Sequence, residues 1–91
     1  MNVLKEIEKD ELKQRAIEEL IKEQDKIIAD CQQKYNFCKI QLEKIAILKD
    51  ISNDSLDDSE AKEKCQEEID KLIKKSGEAN ELKSKLEKLK Q

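Results

Sequence analysis

The stretch IEELIKEQDKIIADCQQKYNFCKIQLEKIAIL, residues 17–48, decides the architecture. With Ile17 lettered as heptad position a, the a positions are Ile17, Gln24, Cys31, Cys38 and Ile45, and the d positions are Leu20, Ile27, Lys34, Gln41 and Leu48. Position e carries Ile21, Ile28, Tyr35 and Leu42 in unbroken seven-residue steps. Apolar residues at this spacing line one face of a helix. An a/d/e stripe is wider than a two-stranded seam and fits a helix packed against more than one neighbour. From Phe37 to Ile51 the chain adds Phe37, Ile40, Ile47 and Ile51 at positions g and c, with Lys44 completing the spacing. The apolar arc there widens to about 200° at about 100° per residue. One antiparallel neighbour covers only part of such an arc, and exposed apolar patches of this kind mark interfaces. Phe37, Ile40, Ile47 and Ile51 are therefore the candidate protein-interface residues. The competing assignment packs them under the following turn.

Residues 50–59, DISNDSLDDS, break the pattern with three Ser, one Asn and four Asp. These side chains capture backbone NH groups and favour turns and helix amino-termini. The composition predicts a turn over 52–56, with Ser55 or Asp57 as the cap of a second helix. That helix, about 57–90, carries the stripe Cys65, Ile69, Leu72, Ser76, Ala79, Leu82, Leu86 and Leu89. One step in it is short, a stammer beside Ser76-Gly77. Gly77 reads as a tolerated soft spot, or else as a kink or close approach to a partner.

Charge placement favours folding the two helices antiparallel. Residues 57–70 carry seven acids and two lysines, and lie beside 37–50 with three lysines and two acids. Residues 71–91 carry seven lysines and three acids, and lie beside 17–36 with three lysines and five acids. Both blocks are complementary across the pair, although an exposed contact contributes only tenths of a kcal/mol. Six acid-to-base pairs four residues apart (11–15, 18–22, 60–64, 67–71, 70–74 and 81–85) support the helices themselves. Residues 1–16 keep no clear heptad, and the second helix is too short to cover them. They are expected to project as a helical extension or to fray.

Composition excludes most other classes. Charged residues make up 45% of the 91 and aromatics 2%, with one glycine and no proline. Strand-built folds need turn residues at frequent intervals, which this chain lacks. The net charge of −3 mixes both signs, so no basic field awaits phosphates and nucleic-acid binding is not expected. There is no run of about 18 apolar residues for a membrane span and no signal-peptide core. The expected location is cytoplasmic, unless a route needing no such signal exports the chain. The sequon Asn53-Asp54-Ser55 carries no weight in that setting. Cys31, Cys38 and Cys65 form no Cys-x-x-Cys pair, and Cys31 and Cys38 lie about 10 Å apart along a helix, too far for a disulfide. The chain has no histidine, so a zinc site would need a carboxylate ligand. Reduced thiols acting as small apolar core residues explain the set. No catalytic base, phosphate loop or activated nucleophile is present, so neither an enzyme nor a cofactor nor a small-molecule substrate is expected. Ser55-Leu56-Asp57-Asp58 has the acids that acid-directed kinases prefer, but capping alone explains the serine.

The sequence thus predicts an all-α fold: an antiparallel two-helix hairpin of coiled-coil type over 17–91. Helix 1 runs to about residue 51, and the hairpin assembles into a four-helix bundle by dimerisation or with a partner. The expected function is a non-catalytic protein–protein interaction module, a structural or adaptor subunit acting as a homodimer or in a helical hetero-complex. The alternative is a small chaperone or inhibitor that binds an amphipathic helix of a client.

Overall fold

The computed structural model describes residues 4–52 and 57–90, and within them all regular structure is helical. Helix α1 spans Lys9–Ile51 and α2 spans Ser59–Leu89. At a rise of about 1.5 Å per residue they are about 65 and about 46 Å long, within overall extents of 77 × 28 × 16 Å. Lys, Glu, Leu and Gln hold these segments helical because straight side chains lose little rotamer freedom there. Isolated helices gain little beyond this, so packing of an apolar face supplies most of their stability.

The two helices pack side by side and run in opposite directions. Lys83 Nζ lies 2.7 Å from Asp25 Oδ1 near one end, and Lys49 Nζ lies 3.8 Å from Asp58 Oδ1 near the other. Both are contacts between the oppositely charged blocks. Between these two ends lies the central cluster of Cys31, Cys38, Ile69 and Leu72, with Ile27, Tyr35 and Leu42 packed against it.

The width of the α1 stripe differs from the sequence expectation. Ile17, Gln24, Cys31 and Cys38 are buried, and Ile21, Ile28, Tyr35 and Leu42 are half-buried beside them. The contact line is therefore a plus e in the lettering above, not a plus d. Of the d residues, Leu20, Lys34 and Leu48 are exposed and only Ile27 and Gln41 are half-buried. A single neighbour can occupy one alternating three- and four-residue row. The row with Ile21, Ile28, Tyr35 and Leu42 buries more apolar surface than the row with Lys34 and Gln41.

On α2, Ile69, Leu72, Ala79 and Leu86 are buried and Cys65 and Ser76 half-buried. The short step at Leu82 disappears, because Leu82 is exposed and Lys83 takes the inward position. Its aliphatic stem covers the seam while its ammonium reaches Asp25 and, at 3.8 Å, Glu87. The helix passes through Gly77 unbroken. Ser76 Oγ donates to the Ile73 carbonyl at 3.1 Å, which satisfies the hydroxyl within its own turn.

At the end of α1, Ser52 N donates to Leu48 O at 3.0 Å and Ser52 Oγ to Lys49 O at 3.2 Å. The remainder of the expected turn, residues 53–56 with Ser55 and the sequon, lies outside the described residues. Asp57 Oδ1 accepts from the Ser59 hydroxyl at 2.8 Å and the Ser59 amide at 3.3 Å, so Asp57 captures the first NH of α2. The N-cap position itself is held by Asp58 and not by Asp57; Asp58 makes no side-chain cap bond and turns its carboxylate to Lys62 at 3.2 Å and to Lys49. Its Oδ2 is shielded from water and paired by charge alone, with no aligned hydrogen-bond donor. Of the six expected pairs, 11–15, 60–64 and 81–85 form ion pairs, whereas Asp70 accepts from Gln66 instead. At the other end, residues 4–8 are non-helical and exposed, and residues 9–16 are helical with all but Gln14 exposed.

Candidate interaction surface

Burial along α1 separates two faces over Phe37–Ile51. The inner face holds Cys38, Leu42 and Ile45 against α2. On the outer face, Phe37, Ile40, Ile47 and Ile51 are between 54% and 74% exposed. At about 100° per residue, Ile40 and Ile47 point about 160–180° away from the Cys38–Leu42 direction. No rotation of α1 that keeps its contact with α2 would cover them. All four candidate residues thus share one exposed face, and none packs under the described part of the turn.

Leu48, also exposed, extends this face. Its position d belongs to the expected a/d/e stripe, which is too wide for one neighbour; the a/d row carries Lys34 and Gln41 where the a/e row carries Tyr35 and Leu42, and α2 takes the a/e row. On α2, Ile73 is exposed and lies outside the expected stripe. It borders a groove of about 260 Å³ with Ile28, Tyr35 and Ser76, on the other flank of the seam.

Next to Phe37 an open groove of about 390 Å³ runs between the helices, lined by Gln33, Lys34, Phe37, Cys38 and Glu68. Burial pushes the Cys38 thiol above its ordinary range, and nearby Cys65 and Glu68 push it the same way. A thiol so protonated is a poor nucleophile. All three cysteines are free, Cys31 and Cys38 being buried and Cys65 half-buried. Among the described residues no group of three or more His, Cys, Asp or Glu could hold a metal ion, and no helix is long and apolar enough to cross a membrane.

Charge on the outer face is concentrated at Glu43 and Lys44. Lys44 sits in the middle of the apolar row, with Ile40 and Leu48 four residues away on either side. Among the described residues neither Glu43 nor Lys44 forms an ion pair.

Comparison with protein-family models, with curated proteins and with solved structures gives no match to this chain.

Proposed function

We propose that this chain is a non-catalytic helical interaction module, a structural or adaptor subunit whose binding face is Phe37, Ile40, Ile47 and Ile51 on α1. In this reading α1 and α2 form a coiled-coil-type pair, and helices from another chain complete a four-helix bundle. The observation that carries it is the outer row of four large apolar residues on the side of α1 opposite α2. A row this apolar costs free energy in water and gains it back only when covered. Phe37 has the size and stiffness of an anchoring residue. A second reading, a chaperone or inhibitor holding a client's amphipathic helix, is favoured by the groove beside Phe37, which is open along the pair.

Site-specific photo-crosslinking in the cells that make the protein tests the proposal. A photoreactive residue at position 47 should give discrete protein adducts, and one at the exposed polar position Glu63 should not. Equal labelling at the two positions, or none at 47, would sink the interaction reading. A homogeneous adduct identifies a stable subunit, whereas a spread of clients favours the chaperone.

A further inference from the structure

We infer that the occupant of the outer α1 face is an amphipathic helix of another protein with acids set beside its apolar row, two of them about three turns apart to meet Lys34 and Lys44. This rests on the interaction reading above and names the chemistry of its partner. The outer row is apolar at Phe37, Ile40, Ile47, Leu48 and Ile51, and the charges set into it are of one sign. Lys44 stands in the middle of the row. Lys34 stands at its amino-terminal end, where it lines the open groove beside Phe37. Both lysines are exposed. The acids of this stretch, Glu43 and Asp50, lie on another ridge, about 100° round the helix from the Lys44 position.

The other lysines of this stretch are engaged within the chain. Lys49 pairs with Asp58 at 3.8 Å, and Lys39 lies 6.0 Å from the centre of the Tyr35 ring. Among the described residues Lys34 and Lys44 form no ion pair, hydrogen bond or ring contact. Glu68 of α2 lines the same groove as Lys34 without forming an ion pair. A purely apolar helix laid on the row would strip water from the Lys44 ammonium and return nothing, which costs free energy that a carboxylate on the partner offsets. A basic partner would add repulsion. Lys34 and Lys44 are ten residues apart, about 15 Å along α1, so acids about ten or eleven residues apart on a helix lying alongside reach both. An anionic bilayer fits less well. Basic segments that hold such lipids gather about four to eight Lys or Arg, whereas this row has Lys34 and Lys44 in a chain of net charge −3.

Two synthetic helical peptides of about 18 residues, about 27 Å long, span the row. They share one leucine row and differ only in carrying glutamates or lysines beside it. Fluorescence anisotropy against the purified full chain should show the glutamate peptide binding at least about tenfold more tightly, by a margin that shrinks as salt is added. Because Lys34 and Lys44 are exposed and unpaired, Lys34→Glu/Lys44→Glu should keep the helicity and reverse the preference, whereas Lys34→Arg/Lys44→Arg should preserve it. Ile40→Ser/Ile47→Ser should weaken the glutamate peptide at least about tenfold, which places it on the row. Equal affinity for the two peptides, a preference untouched by the reversal, or binding indifferent to the serines would each overturn the acidic-helix assignment. So would tighter binding to phosphatidylserine vesicles than to the glutamate peptide, or a homodimer that excludes both peptides. If adducts from position 47 still form, those results remove this inference and leave the interaction module standing. Failure of the peptides together with absence of adducts would remove both.

Discussion

Gly77 lies within an unbroken turn of α2, and a methyl group built on it meets no heavy atom within 4 Å. Among the described residues, α2 thus neither breaks at Gly77 nor brings another segment against it. What remains is the entropic cost of glycine in a helix, which gives Gly77→Ala a stabilisation of about 0.5–1 kcal/mol. Chemical denaturation should show a higher midpoint at unchanged slope. A lower midpoint would mean that a neighbouring chain occupies that space in solution. Lys83 illustrates a different residue-scale effect. A leucine stood one position away, yet the lysine takes the inward place because the regular three–four alternation from Ser76 and Ala79 leads to it. Asp25 then supplies a partner for its charge, and the pairing holds the Lys83 amine above its ordinary range.

Within an element, the amino-terminus of α2 depends on Asp57. Donation from the Ser59 hydroxyl and then from the Ser59 amide holds the Asp57 carboxyl below its ordinary value of 3.8, and Lys49 adds to this. The folded form therefore prefers the ionised carboxylate. Its contribution is present above about pH 3.8 and is lost as pH falls through the lowered value. Asp57→Asn keeps an acceptor but no charge, so the variant should show no titration there. Hydrogen exchange at the Ser59 amide is the measurement. The wild type should lose protection on acidification below pH 3.8 relative to the variant, and parallel curves would exclude the Asp57 carboxylate as the partner of that amide. The same element shows how far spacing is legible. Ile69, Leu72, Ala79 and Leu86 were all in the expected stripe and are buried, because α2 has only one apolar row and hence one way to face a neighbour.

For the whole molecule, the two ion pairs at opposite ends make the antiparallel register a specific expectation. Spectroscopic labels at residues 45 and 62, and at residues 24 and 83, should each report short intramolecular distances. Long distances in both pairs would describe an open rod and exclude the packing of α1 on α2. α1 is longer than α2 by about 18 Å of helix, and all of residues 9–16 but Gln14 are exposed. Asp10, Lys13 and Gln14 keep that surface polar.

The helical class, the positions of the two helices and their antiparallel sense were set by the sequence itself. Periodicity and charge blocks are local or nearly local properties, and each pointed the same way. The row of α1 that faces α2 was decided only by the tertiary structure. Over residues 17–48 two apolar rows share Ile17, Cys31 and Cys38, and choosing between them requires comparing what each would bury against α2. That comparison leaves Leu48 exposed, keeps Leu42 and Tyr35 of the expected stripe against α2, and puts Lys83 where Leu82 was expected. The outer face of Phe37, Ile40, Ile47 and Ile51 was visible in the sequence as excess apolar width. Its being left uncovered is a tertiary fact, since one packed helix shields only one side of another.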